Sequence, residues 1–174
     1  MTDDVFTGRL CRLRPYGTGD ARMLSAVADD FDVARYMTRR FPHPYTQRDA
    51  DEWIGIAMAG RSGHILAIEV DGALAGGIGV EPLRGERAGT ALFGYWLGRA
   101  YWGRGIASEA ARMLSDFALQ RGDLRRLEAT VFAPNVASAK VLTKCGFTLE
   151  GTLSKMYLDR RDAVCDGLLF GRVA

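Results

Sequence analysis

The chain reads as an α+β protein. Its order is one strand, two or three helices, three strands, a helix, a strand, a helix and two closing strands. Three observations carry that reading. Ile65 to Val70 and Ala73 to Val80 are apolar runs of strand length joined at Asp71-Gly72, a strong hairpin signal. The short run Ala91 to Leu97 is apolar and aromatic, and a glycine-bearing loop follows it. Beyond that loop Ile106, Ala110, Met113, Leu114, Phe117 and Ala118 recur with the spacing of one helix face.

Taken in order, Leu10 to Arg14 predicts a first strand, ended by Pro15. Thr18 to Ala28 predicts a helix with Met23, Leu24 and Val27 on one side, and a short helical turn follows near Val33, Tyr36 and Met37. Phe41 to Tyr45 is a loop, because Pro42 and Pro44 donate no hydrogen bond to a ladder. Thr46 opens the next helix as N-cap, with Asp49 in the capping-box position, and Ala50, Trp53, Ile54, Ala57 and Met58 form its apolar face. After the hairpin, the 91–97 strand and the long helix, Leu127, Ala129 and Val131 alternate as in a half-buried strand over 126–132. Pro134 stops it, Asn135 caps a short helix that turns Val141 and Leu142 to the core, and Gly146 ends that helix. Phe147 to Leu158 and Val164 to Val173 close the chain as an antiparallel pair across Asp159 to Asp162.

The bulk properties exclude several classes. At 174 residues the chain suits one domain, 1–174, with ample material for a core. Hydrophobic content of 48% and charged content of 25% are ordinary for a soluble protein. A net charge of +2 argues for neither nucleic acid nor a membrane surface. No leader and no apolar run near the roughly 20 residues of a membrane helix can be read, so a cytoplasmic location is expected. Cys11, Cys145 and Cys165 form no C-x-x-C and are expected to be reduced and mostly buried. His43 and His64 lack ligand spacing, so no metal site is expected.

The chemistry concentrates in Tyr101-Trp102-Gly103-Arg104-Gly105-Ile106-Ala107-Ser108-Glu109-Ala110. A helix N-terminus offers unpartnered N–H groups and a partial positive charge. Gly103 and Gly105 lack Cβ, so a bulky anion can approach those groups, and a phosphate or pyrophosphate is the expected ligand. A P-loop needs a Gly-Lys-Ser/Thr ending, which is missing. A Rossmann loop needs a third glycine where Ser108 stands and an acid closing the next strand, whereas Asp123 sits in the turn before it. A plain turn before a core helix would also use these glycines.

A third reading takes in more residues. Gly105-Ile106-Ala107 matches the end of Gln/Arg-x-x-Gly-x-Gly/Ala, the acetyl-CoA pyrophosphate loop of the GNAT N-acetyltransferases, with Trp102 departing from the leading Gln/Arg. Tyr95-Trp96-Leu97 with Tyr101 to Ala110 closely resembles one branch, the ribosomal-protein N-terminal acetyltransferases of the RimJ/RimL type. Val131 to Phe147 resembles that branch's second acetyl-CoA segment, and the opening Arg9 to Pro15 and Trp53-Ile54 resemble it as well. The resemblance implies the GNAT fold. That fold is a single mixed, mostly antiparallel central sheet flanked by helices, with a splayed parallel strand pair at the acetyl-CoA site.

By the same resemblance, Phe93 to Leu97, with Phe93, Tyr95, Trp96 and Leu97, offers backbone groups to the pantetheine arm and thioester. Trp102, Gly103, Arg104, Gly105, Ile106 and Ala107 hold the pyrophosphate, and Asn135 bonds the arm. Many GNATs protonate the leaving thiolate with a Tyr; that slot is Leu142, and the branch's alternative donor position holds Ser138. No base stands out: the usual Glu position falls near Leu92, and Glu81 and Tyr157 are the candidates.

A site with a weak base suits an α-amine. Deprotonating an amine of pKa about 8 at pH 7 costs about 1.4 kcal/mol, against about 4.6 kcal/mol for a lysine. The expected activity is direct transfer of acetyl from acetyl-CoA to the N-terminal α-amine of a protein or peptide. One alternative is a small-molecule amine, such as a polyamine, an amino-acid derivative or an aminoglycoside; another is a non-catalytic acyl-CoA-binding sensor. The acceptor cleft is expected between the Phe41–Tyr45 loop and the final hairpin, and the sequence is compatible with a homodimer.

Overall fold

A computed structural model describes residues 5–60 and 63–174. Eight strands form one sheet in the order β1-β2-β3-β4-β5-β6-β8-β7. They are β1 (Phe6–Thr7), β2 (Arg12–Arg14), β3 (His64–Val70), β4 (Ala73–Pro82), β5 (Thr90–Leu97), β6 (Arg126–Phe132), β7 (Thr148–Leu158) and β8 (Val164–Val173). The helices are α1 (Ala21–Ala28), α2 (Phe31–Ala34), α3 (Gln47–Met58), α4 (Ile106–Gln120) and α5 (Val136–Lys144). All neighbours run antiparallel except β5 and β6, which are parallel.

Alternation along the strands builds two cores. Phe93, Leu97, Ile78, Val80, Leu127 and Val131 pack with Ile106, Ala110 and Leu114 of α4 and Leu142 of α5 on one face. Ala67 and Leu74 pack with Tyr16, Leu24, Tyr45 and Ile54 on the other, where Trp96 joins them. Leu142 is fully buried, so truncating it to Ala costs about 2–5 kcal/mol.

The local signals fold as they read. Thr46 and Asp49 form the reciprocal capping box of α3. Asp71 and Gly72 both have positive φ, 51° and 79°, as a two-residue hairpin turn requires. Asn135 caps α5 by accepting from the Ser138 N–H.

The first strand differs: it starts at Arg12 rather than Leu10. The N–H groups of Arg9, Leu10 and Cys11 donate instead to the Glu109 carboxylate, at 2.9, 2.7 and 3.0 Å. A two-residue strand at Phe6–Thr7 and a left-handed Lys155 that breaks the β7–β8 register also go beyond the sequence reading.

Candidate active site

The parallel pairing of β5 with β6 is short. Thr90, Ala91 and Leu92 pair with Arg126, Leu127 and Glu128, and no pair follows. Both strands continue, β5 to Leu97 and β6 to Phe132. A wedge therefore opens beyond Leu92, and the Phe93–Leu97 backbone borders it. Phe93 and Leu97 bury their side chains in the α4 core, so only their backbone can face a ligand.

At the wide end of the wedge the chain turns through Arg99–Tyr101 into α4. Gly103 and Gly105 have φ of 73° and 82°, in the left-handed region that disfavours other residues. The first helical bond reaches back from the Glu109 N–H to the Gly105 carbonyl. The N–H groups of Ile106, Ala107 and Ser108 precede it and have no carbonyl one turn back. Ile106 itself is buried, which anchors the turn while its N–H stays at the helix end. Arg104 lies over the Tyr101 ring at 5.9 Å. Trp102 spends both of its N–H groups on the turn, the backbone one on Arg99 O and the indole one on Leu97 O. Its ring is half exposed.

Across the wedge, the Tyr95 hydroxyl lies 2.9 Å from Ser138 Oγ and donates to the Ser138 carbonyl at 3.1 Å. Burial pushes the Tyr95 pKa up to about 12, against the lowering effect of the bond to Ser138. Asn135 Oδ1 accepts from the Ser138 N–H at 3.2 Å, which orients the first turn of α5. Tyr95, Asn135 and Ser138 thus come together from two segments.

Glu81 and Tyr157 do not join them. Glu81 of β4 lies opposite Leu92 of β5 and borders a cavity of about 520 Å³ whose lining also takes in Phe93 and Tyr95. Tyr157 stacks on Phe132 with ring centroids 4.1 Å apart. Burial raises its pKa, while a side-chain bond with Thr130 pulls the other way.

The cavity carries features the sequence reading did not single out. Phe41, Tyr45, Trp53, Ile56 and Trp96 wall it, and Gly79 and Gly94 lie side by side in its floor. Asp49, Glu52 and Glu81 border it with one cation, Arg40. The final hairpin is tied to its wall: Arg160 donates to the carbonyls of Ala34, Thr38 and Phe41. Asp159 accepts from the N–H groups of Arg161 and Ala163 and from Arg35, and these bonds hold its carboxyl below the usual range. No helix among the described residues is long and apolar enough to cross a membrane.

Comparison with known proteins follows the same outline. The family model for the acetyltransferase (GNAT) domain matches residues 10–148. An uncharacterized N-acetyltransferase, p20, of Bacillus licheniformis is 34% identical over 155 residues, 87% of this chain and 85% of its own. The ribosomal-protein-serine acetyltransferase of Escherichia coli K12 is 36% identical over 94 residues, 54% of this chain and 50% of its own. The solved structure of Mycobacterium smegmatis RimJ in complex with CoA-disulfide superposes with a TM-score of 0.85 and 27% identity, covering 99% of this chain and 88% of that one. A wedge between parallel strands, a glycine turn at a helix N-terminus and this agreement have one common explanation: the chain belongs to the GNAT family and is an acetyl-CoA-dependent N-acetyltransferase.

Proposed function

We propose that the acceptor is the N-terminal α-amine of a protein or peptide. The observation that carries this reading is that, among the described residues, no carboxylate hydrogen-bonds to Tyr95 or Ser138. An α-amine supplies its neutral form at a cost of about 1.4 kcal/mol at pH 7, so it needs little help from a base. The likeness to a ribosomal-protein-serine acetyltransferase supports the same choice.

In this reading the N–H groups of the Gly103–Ala107 turn, with Arg104, hold the pyrophosphate, and Asn135 holds the pantetheine arm. The Phe93–Leu97 backbone positions the thioester, and an N–H of that stretch stabilises the oxyanion. The amine lone pair attacks the thioester carbonyl carbon and the C–S bond breaks. The thiolate takes a proton from Ser138 Oγ, which the Tyr95 hydroxyl holds in place 2.9 Å away, and Ser138 regains a proton from solvent. The proton lost from nitrogen passes to solvent on the open cavity side, where Glu81 lies.

The test is thiol release from acetyl-CoA with matched acceptors: free-N-terminus peptides, the same peptides N-blocked but containing lysine, polyamines and aminoglycosides. Turnover with free N-termini alone is expected. Turnover confined to small amines overturns the reading.

A further inference from the structure

The cavity beside β5 has a floor of unusual make-up. On the face away from α4, β4 presents Gly77, Gly79 and Glu81, paired with Trp96, Gly94 and Leu92 of β5. The two glycines that border the cavity alongside Gly77 differ in what their missing side chains would meet. A Cβ at Gly77 would lie 2.5 Å from the Tyr16 hydroxyl and 2.7 Å from the Trp96 indole nitrogen, so that glycine is required by packing. A Cβ at Gly79 would press on the His64 carbonyl at 3.2 Å. A Cβ at Gly94 would meet nothing within 4 Å. Gly94 has no positive φ, so its backbone is one that any residue adopts. Neither packing nor conformation requires glycine there, and its effect is to leave room.

The room is apolar and of ligand size. Its walls are Phe41, Tyr45, Trp53, Trp96, Ile56 and Leu92. Phe41 is braced by the rings of Tyr45 at 5.0 Å and Trp96 at 5.3 Å. The volume of about 520 Å³ lies within the roughly 300–1,000 Å³ of pockets that enclose small molecules. Of the carboxylates at its border, Asp49 is engaged by Thr46 in the α3 cap and Glu52 by Arg48, so the space itself is bounded mainly by apolar and aromatic side chains. Gly94 belongs to the stretch of β5 that borders the wedge beyond Leu92. A group attached one carbon from an amine in the wedge therefore has this cavity as its neighbour.

We propose that the cavity receives the side chain of the acceptor's first residue, that this residue is large and apolar, and that Gly94 sets the size admitted. The inference rests on the α-amine reading above and adds the class of N-terminus. A small first residue such as Ala or Ser leaves the aromatic walls unfilled. Each extra buried methylene improves discrimination by about 1–3 kcal/mol, or 10–200-fold.

The experiment uses the full chain, acetyl-CoA and five-residue peptides that differ only at the first position, Ala, Ser, Leu or Phe. The wild type is expected to give a kcat/KM for Leu or Phe at least about 10-fold above Ala and Ser. Gly94→Val, which projects into the cavity, is expected to erase or invert that ratio. Ile56→Ser, at an exposed wall position, is expected to narrow it. Thermal unfolding of each variant separates a changed pocket from a damaged fold, and Ile56→Ser stands alone if Gly94→Val does not fold. Peptide turnover with equal rates, or with Ala and Ser preferred, overturns the pocket assignment and leaves the α-amine reading intact. Turnover of polyamines or aminoglycosides with no peptide turnover overturns the α-amine reading itself, and the pocket assignment with it.

Discussion

The hydroxyl of Tyr95 on β5 lies 2.9 Å from Oγ of Ser138 on α5, and this contact bridges the two segments that flank the wedge. Tyr95 is buried enough that its pKa is pushed up to about 12. It is therefore protonated at neutral pH, and the pair places two hydroxyl groups at the edge of the wedge.

Removing the proposed proton donor tests the chemical step. Ser138→Ala is expected to lower kcat by about 10²-fold with little change in KM for acetyl-CoA. Tyr95→Phe, which keeps the ring and removes both hydroxyl contacts to Ser138, is expected to cost about 10-fold. Steady-state thiol release with a saturating peptide measures both. A larger loss in Tyr95→Phe than in Ser138→Ala would make the tyrosine the donor.

The glycine turn is a conformational requirement. Gly105 sits at φ 82°, where an L-residue costs roughly 1–2 kcal/mol. Gly105→Ala is therefore expected to lower Tm and to raise KM for acetyl-CoA. Calorimetry and an acetyl-CoA titration check the two effects together, because a turn that serves only folding would move the first without the second.

Glu109 ties the start of the chain to α4. Desolvation pushes its pKa up, but the N–H groups of Leu10, Arg9 and Cys11 outweigh it and hold the carboxyl below its ordinary value. A group with a lowered folded pKa contributes stability that is complete above its unfolded pKa, near 4.3, and is lost as pH falls through the folded one. Glu109→Gln is expected to destabilise the protein by about 1–2 kcal/mol at pH 7. It should also flatten the acid limb of the stability profile below about pH 5. Urea unfolding of both proteins between pH 3 and 7 (roughly the range spanning carboxylate titration) measures the difference.

Arg160 reaches three carbonyls, those of Ala34, Thr38 and Phe41, and Phe41 walls the cavity. Arg160→Met is expected to raise KM for the acceptor while KM for acetyl-CoA stays where it was. Separate titrations of the two substrates detect that split. An equal rise in both would give Arg160 a general structural role.

The interactions that were legible in the sequence are local. Thr46 and Asp49 meet because they are three residues apart, Asp71-Gly72 turns because both residues tolerate positive φ, and Asn135 caps the helix that begins at its next residue. The glycine loop was legible for the same reason, since strand, turn and helix are contiguous. The long-range partners were not. Glu109 and Arg9 are 100 residues apart, Arg160 and Phe41 119, and Tyr95 and Ser138 43. The tertiary fold, rather than nearness in the chain, brings such groups together. Cys11 illustrates the consequence: it reads as the second residue of a strand, yet its N–H is taken by a helix that begins 95 residues later in the chain, through Glu109.

The central claim is that acetyl goes to an α-amine, and one peptide tests it. The peptide has a free N-terminal leucine and an internal lysine, and tandem mass spectrometry after incubation with the protein and acetyl-CoA locates the new acetyl group. Acetylation of the leucine α-amine, with the lysine unmodified, is the predicted result. Acetyl on the lysine side chain with a free N-terminus would contradict it.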